Sequence, residues 1–382
     1  MIRSGILHEN FSLEAYLKEL EILVNIDSGY GAPDGATQTG LRLAQPLVEQ
    51  GWILERHRPM QEFGEVIVLK NREAEKYDLQ MVGHTDTVFP AGEALQRPFT
   101  RDETRAYGVG VIDMKQGCLA MTTILKDMDQ AVLDKLNIAV VFNPDEERGS
   151  LSSKAVIDEI ACRTEYALIF ETGSYCCIQR KGKIGLHAAF HGKAGHAGYA
   201  FENGGINAIN EMAYWIMELG KHHNADTGTT VNTGLVQGGQ GANIIPDYAE
   251  MKVDIRYESM SEMARIEETL DRLAAHAKEQ HVVVEEKKRT KIPPMEPSEK
   301  TMVLCSMAEE VCREQGKTFQ TKKRGGLSDG NHIAACGCAT MDGLGPTGDC
   351  DHSKDEYLEL STIEPNIDFA YGLICKLAEH KQ

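Results

Sequence analysis

Leu13, Tyr16, Leu17, Leu20, Leu23 and Val24 recur three and four positions apart, which draws one apolar stripe along a helix, and Ser12 is suited to cap its start. A second helical pattern covers 39–50 and stops at Gly51, a residue that accepts the left-handed conformation after a helix, although Pro46 inside it argues against an unbroken run. From there, short apolar runs at 65–70, 77–82, 136–142 and 166–170 are separated by amphipathic stretches at 115–128 and 152–161. Apolar strands spaced by helices imply an α/β domain whose mostly parallel sheet is covered by helices on both faces.

After Lys181 the rhythm changes. Strand (184–191), helix (206–219), strand (229–236), strand (249–257), helix (260–278) and strand (281–288) give a βαββαβ order, the ferredoxin-like pattern of a small separate domain. The stretch Lys291-Ile292-Pro293-Pro294-Met295-Glu296-Pro297 reads as a proline-stiffened crossing back, and a C-terminal helix at 361–377 resumes the first style. The expected organisation is one α/β domain of 1–181 and 292–382, interrupted by an inserted domain of 182–291. Size agrees, because 382 residues exceed the roughly 250–300 at which a single core stops growing.

Composition narrows the function classes. The chain is 42% hydrophobic and 26% charged, which excludes disordered and fibrous readings. With 40 Lys+Arg against 58 Asp+Glu the net charge is −18, a field that repels phosphate backbones and anionic lipid, so neither nucleic acid nor membrane is expected as a partner. No stretch approaches the roughly 20 apolar residues that span a bilayer, and MIRSGILHENFSLEAYL lacks a signal peptide's apolar run, so a cytoplasmic location is expected. Ten cysteines follow no disulfide-scaffold spacing. Cys336-Gly337-Cys338 and Cys176-Cys177 have no second pair at zinc-finger spacing and read as reduced thiols.

Candidate chemistry gathers where strands end. In Met81-Val82-Gly83-His84-Thr85-Asp86 a histidine directly follows an apolar strand, the place where ligands bind in open α/β sheets. His84 could ligate a metal with Asp86 orienting its ring, or it could be a satisfied histidine in a turn. Gly108-Val109-Gly110 suggests a phosphate loop, but the dinucleotide spacing puts Asp113 where the third glycine belongs. Asp113 reads either as a helix cap or as a carboxylate able to bridge two metals.

Asp145-Glu146-Glu147 closes an apolar strand with three acids in a row, which repel one another unless a cation compensates or solvent surrounds them. Glu171 follows another strand, and His352 lies in the loop Gly345-Pro346-Thr347-Gly348-Asp349-Cys350-Asp351-His352. Imidazoles and carboxylates without thiolate suit zinc, cobalt or manganese at a hydrolytic site.

Taken in order, these motifs resemble the two-zinc metallopeptidases that include glutamate carboxypeptidase, aminoacylase, succinyl-diaminopimelate desuccinylase and peptidase T, over nearly the whole chain. The resemblance implies that His84 and His352 each bind one of two divalent ions, zinc first with cobalt or manganese also suited. By the same similarity Asp113 would bridge the ions, and Glu147 and Glu171 would complete their shells. Glu146 would be the general base and Asp86 would orient His84. The inserted domain would be a lid that also carries a homodimer contact.

Within that lid, Gly192-Lys193-Ala194-Gly195-His196-Ala197-Gly198 resembles a stretch whose histidine, here His196, steadies the oxyanion, often in the partner subunit's site. Asn243, in Gly241-Ala242-Asn243-Ile244-Ile245-Pro246, and Arg256 resemble substrate-binding elements, the planar fork of Arg256 suiting a carboxylate. Gly326 and Ser328, in Gly325-Gly326-Leu327-Ser328-Asp329-Gly330-Asn331, could supply donors to the same end of the substrate, whereas His332 reads as a helix-start residue. Gln116 departs from the usual family pattern, which has glycine there.

The implied activity is hydrolysis of a peptide or N-acyl amide bond beside a free carboxylate, in a small peptide or N-acyl amino acid. Glu171, rather than Asp, resembles the carboxypeptidase and deacylase branches. An aminotripeptidase is the alternative within enzymes, and a non-catalytic metal- or peptide-binding homologue the alternative outside them. The acidic balance does not oppose an anionic substrate, because two divalent ions would offset Asp113, Glu147 and Glu171 locally. The expected site is the cleft beside the inserted domain.

Overall fold

The computed structural model describes residues 11–173 and 176–381; the first ten residues, part of the stretch read for a signal peptide, lie outside them. The described residues form two compact units, one within Met1–Ile178, Pro297–Lys323 and Ser328–Gln382, the other within Gln179–Glu296 and Arg324–Leu327. The second unit thus begins earlier and ends later than the periodicity suggested, and it takes in part of the glycine loop.

In the first unit, helix α1 (Leu13–Asn25) buries Tyr16, Leu17, Leu20, Leu23 and Val24, and the Ser12 hydroxyl accepts from the Ala15 amide. Helix α2 (Pro33–Glu49) starts earlier than expected and continues through Pro46, with Pro33 in its first turn, where a missing N–H removes no helical bond. Strands β1 (Ile53–His57), β2 (Val66–Lys70) and β3 (Tyr77–His84), helix α3 (Gln116–Lys126), strand β4 (Ile138–Asn143), helix α4 (Lys154–Ala161) and strand β5 (Thr164–Ile169) follow.

The six-stranded sheet has the order β1-β2-β4-β3-β5-β10, where β10 is Ala339–Met341. The β4–β3, β3–β5 and β5–β10 pairs are parallel, while β1–β2 and β2–β4 are antiparallel. The sheet is therefore mixed and mostly parallel, as expected, with its antiparallel pairs gathered at one edge. No helix separates β1 from β2, so the chain can only fold back on itself there.

Alternate side chains enter two different cores. Ile67, Leu69, Leu79, Met81, Val140 and Phe142 join the cluster formed with α1, α2, α3 and the C-terminal helix, while Val66, Val68, Val82, Ala139 and Val141 pack with Ile157 and Ile160 of α4. This is why the strands read as continuous apolar runs rather than alternating ones.

The second unit is built on β6 (Gly182–His191), helix α5 (Ala208–Gly220), β7 (Thr230–Gly238), β8 (Tyr248–Tyr257), helix α6 (Met260–Glu279) and β9 (Val283–Ile292). Its sheet runs β7-β8-β6-β9, antiparallel throughout. One face, with Ile184, Leu186, Ala188 and Phe190, packs on Met212, Trp215 and Leu219 of α5 and Ile266, Leu270 and Leu273 of α6. Trp215 meets Phe190 edge to face at 5.3 Å and donates its indole N–H to Glu211, so its single polar atom is satisfied. The chain then returns to the first unit through helix α7 (Glu299–Glu314), β10 and helix α8 (Ile363–His380). Among the described residues no helix is long and apolar enough to cross a membrane.

Candidate metal centre

Parallel register brings the ligand loops together. His84, the last residue of β3, is level with Asn143, the last of β4, and Val82 is level with Ile169 at the end of β5. The three following segments therefore leave the sheet at one edge, carrying Asp86, Glu146 with Glu147, and Glu171. The loop bearing His352 is drawn to the same edge by a bridge between Thr172 and Gly345, whose amide donates to the Glu171 carbonyl at 2.9 Å. Gly345 is required there, since a Cβ would sit 2.5 Å from the Phe170 carbonyl oxygen.

Asp113 occupies the middle. One of its carboxylate oxygens lies 2.9 Å from His84 Nε2 and the other 3.0 Å from His352 Nε2. His84 Nε2 is also 3.7 Å from Glu171 Oε1, and His352 Nε2 is 3.5 Å from Glu147 Oε2. One imidazole with one further acid thus stands on each side of a shared carboxylate. Asp351, which sequence reasoning passed over, groups with Asp113 and His352 as a further oxygen donor; its position beside His352 was the available signal.

Asp113 does not cap a helix. Residues Val111–Lys115 form a wide turn in which Asp113 and Met114 are non-helical, the Asp113–Met114 peptide is cis, and α3 begins at Gln116 without a side-chain cap. Gln116, the departure from the family pattern, closes this turn by donating its amide to Ile112 O at 3.0 Å and Pro346 O at 3.4 Å.

Asp86 has a role that its spacing from His84 did not reveal. Its Oδ1 accepts from the Glu146 amide and its Oδ2 from the Glu147 amide, each at 3.1 Å, while Oδ1 stays 3.3 Å from His84 Nδ1. A single carboxylate therefore holds the short turn Glu146–Arg148 and faces the imidazole. Asp145, third of the acidic run, turns away and accepts from the Ser152 and Ser153 amides. Asp329 receives Asn143 Nδ2 at 2.7 Å and Ser150 Oγ at 2.5 Å, bracing both ends of the same loop.

The electrostatics of the cluster follow from its burial and its imidazole–carboxylate contacts. Burial pushes the Asp113 carboxyl up, but the His352 and His84 hydrogen bonds outweigh it and hold the group well below the usual carboxylate range. Hydrogen bonds to Asp113 and Glu147 raise His352 up to about 11. Glu147 Oε1 is buried with no hydrogen-bond partner among the described residues. An unpaired buried carboxylate oxygen is unfavourable by about 1–3 kcal/mol or more, and a cation removes that penalty.

The donor set fits a divalent metal. Bonds of about 2.0–2.2 Å in a tetrahedral shell separate ligand atoms by roughly 3.3–3.6 Å, and the separations here, 2.9 to 3.7 Å, bracket that range. The nearby thiol of Cys118 is not a donor to the site: burial pushes it up to about 12, and it donates to the His84 carbonyl at 3.1 Å.

Glu146 stands apart. Burial raises its carboxyl well above the usual range, His84 pulls it back, and Glu171, Asp329 and Glu147 push it up again. Its carboxylate has no hydrogen bond among the described residues. Beside Glu147 and Asp86 opens a cavity of about 210 Å³ walled by Tyr30, Phe63 and Arg148. The Arg148 guanidinium lies 4.7 Å from both ring centroids.

The remaining expected residues have the following surroundings. His196 and Asn243 meet in the second unit, where the Ala197 amide donates to Asn243 O at 3.0 Å. The Gly198 amide donates to His196 Nδ1 at 3.1 Å, which leaves the ring proton on Nε2. Arg256 is clamped by Asp254 on its own strand, at 2.7 and 3.3 Å. Gly326 is exposed in the second unit, with its carbonyl accepting from Arg180. The Ser328 hydroxyl is buried, donating to Asp342 at 2.6 Å and accepting from the Gly330 amide. His332 lies buried inside the short helix Gly330–Ala335.

Comparison with known proteins identifies a family. Residues 81–376 match the pattern of "Peptidase family M20/M25/M40". Carboxypeptidase G2 of Pseudomonas sp. (strain RS-16) is 30% identical over 375 residues, covering 96% of this chain and 90% of that protein. Acetylornithine deacetylase of Proteus mirabilis (strain HI4320) is 28% identical over 315 residues, 78% of each chain. Among solved structures, aminopeptidase PepT from Bacillus cereus has a TM-score of 0.78 at 20% identity, over 96% of this chain and 99% of that one. A likeness at that identity concerns the fold.

Proposed function

The chain belongs to the peptidase family M20/M25/M40, a family of hydrolases, and on that premise we propose that it cleaves a peptide or N-acyl amide bond beside a free carboxylate. The observation that carries this reading is Asp113, whose two carboxylate oxygens each meet a different imidazole, His84 at 2.9 Å and His352 at 3.0 Å. That arrangement suits one carboxylate shared between two cations, with Glu171 beside His84 and Glu147 beside His352 as the further ligands. Two divalent ions held there, zinc first, would supply Lewis acidity towards the scissile carbonyl and lower the pKa of the attacking water.

The chain's own residues do the rest. Glu146, whose carboxylate has no hydrogen bond among the described residues, would take the water's proton and pass it to the leaving nitrogen. Asp86 keeps Glu146 and Glu147 aimed by holding their two amides. His196, whose Nδ1 is occupied by the Gly198 amide, has its Nε2–H available as a donor for a developing oxyanion, in its own or a partner subunit's site. Arg256, Asn243, Gly326 and Ser328 would meet the substrate, and a substrate carboxylate at Arg256 must compete with Asp254. A homodimer joined through the second unit, acting as a lid, belongs to the same reading.

The similarity to carboxypeptidase G2 and to acetylornithine deacetylase supports an amide beside a free carboxylate as the substrate class. The test is a panel of N-acyl amino acids, dipeptides, tripeptides and folate-like glutamate conjugates, each assayed with zinc, cobalt or manganese. Turnover confined to members with a free carboxylate next to the scissile amide is expected. Preference for tripeptides with a free amine would transfer the chain to the aminotripeptidase reading, and no hydrolysis in any metal would leave only a binding role.

A further inference from the structure

We infer that Glu356 is a positioning residue for the shared carboxylate, holding the Asp113 loop through three backbone amides. The inference rests on Asp113 and His352 being metal ligands. The Glu356 side chain is 2% exposed. Its Oε1 accepts from the Ile112 amide at 2.9 Å and the Asp113 amide at 3.3 Å, and its Oε2 accepts from the Gly110 amide at 3.1 Å. Among the described residues no lysine or arginine lies within ion-pair distance of it. Its hydrogen-bond partners are therefore the three amides of one loop, whose shape they fix, while the buried Lys115 feels its charge from beyond contact.

The loop needs such a partner. Gly110 is left-handed at φ +71°, and Asp113 and Met114 leave the helical path, so amides 110, 112 and 113 have no helical ladder to join. They converge on one point, and Glu356 fills it. Its placement follows from strand register, because Tyr357 pairs with Tyr107 and Leu358 with Ala106, setting Glu356 beside the residues that follow Tyr107.

Glu356 also lies four residues beyond His352. A single segment therefore grips Asp113 twice, at its backbone through Glu356 and at its side chain through His352. A shift of this segment would move the shared carboxylate and one imidazole together, which makes Glu356 a residue through which both cation positions are set. Partners that orient a metal ligand in this way commonly carry roughly 10–100-fold in metal affinity when removed.

The test compares the full-length chain with Glu356→Gln. Glutamine keeps the size and one carbonyl oxygen, but its NH2 must face either the Gly110 amide or the Ile112 and Asp113 pair, donor against donor. Cobalt titration is read by visible absorption, with Leu358→Ala as a control that removes packing from the same strand without touching the three amides. The expected result is cobalt affinity lowered roughly 10–100-fold in Glu356→Gln, with a changed visible band, and affinity near wild type in folded Leu358→Ala. Wild-type affinity and band in folded Glu356→Gln would overturn the inference, and so would an equal loss in Leu358→Ala. Should Glu356→Gln fail to fold, Glu356→Asp takes its place; it keeps the charge but is too short to reach all three amides, and wild-type cobalt binding by it would also overturn the inference. A wild-type chain that takes up no cobalt would overturn the ligand assignment itself, which separates the two failures.

Discussion

Replacing Asp86 by asparagine isolates one carboxylate that serves a histidine and a turn at once. Both oxygens accept amides, Glu146 on Oδ1 and Glu147 on Oδ2, each at 3.1 Å, and the residue is 7% exposed, so water cannot readily replace either partner. Asparagine can present its carbonyl to one amide only, and its NH2 then confronts the other. The loss is one hydrogen bond to a charged acceptor, about 1.5–3 kcal/mol. If that energy serves to hold Glu147 in place, it converts at 1.4 kcal/mol per decade into roughly 10–100-fold weaker metal binding. The range expected for residues that orient metal ligands is the same, so the two routes agree. Competition against a chromogenic chelator measures the affinity, and circular dichroism reports whether the variant remains folded. Folded Asp86→Asn that binds zinc or cobalt within twofold of wild type would refute the claim that Asp86 holds the acid pair.

Three further outcomes follow from the same geometry. Glu146→Gln should retain two cations per chain and lose roughly 10²–10⁴-fold in kcat, measured by metal analysis beside steady-state kinetics, because the residue is argued to move a proton and not to ligate. Metal uptake should release protons and strengthen as pH rises towards about 11, since hydrogen bonds to Asp113 and Glu147 raise His352 up to about 11 and a cation must displace that proton; calorimetry in buffers of different ionisation enthalpy counts the protons released. His332 is depressed to about 4 by burial and then by Lys154, so its contribution to stability is fully present above its unfolded value of about 6.5 and is lost as pH falls through about 4. Urea denaturation at pH 7 and pH 4.5 should therefore show a smaller loss for His332→Gln than for wild type, by up to about 3 kcal/mol, and equal losses would count against it.

The alternation of apolar strands and amphipathic helices was legible because a strand buried on both faces must be apolar throughout, and β3 and β4 are. The ligand types were legible for a related reason. An imidazole or carboxylate placed directly after such a strand is costly unless the fold uses it, so His84, Glu147 and Glu171 stood out. The antiparallel edge at β1 and β2 was not legible, because Ile53–His57 is half exposed and carries two charged residues in five, giving no apolar run to find. Nor was the start of α3, where Asp113 looked equally like a cap and a ligand until its two oxygens were seen facing two imidazoles.

Chemistry is a property of residue type, so the sequence alone decides which donors the chain possesses and which strands carry them to one edge of the sheet. Which oxygen meets which nitrogen is decided only by the fold, since Asp113 and His352 lie 239 positions apart in the chain and 3.0 Å apart in space. The same holds for the acids that do not ligate. Asp145 and Glu356 are indistinguishable in sequence from solvated carboxylates, Asp86 was legible only as a partner of His84, and only packing reveals that each one accepts amides from the loop it secures. Backbone amides carry no sequence signature, so a carboxylate bonded to them leaves no pattern until the chain has folded around it.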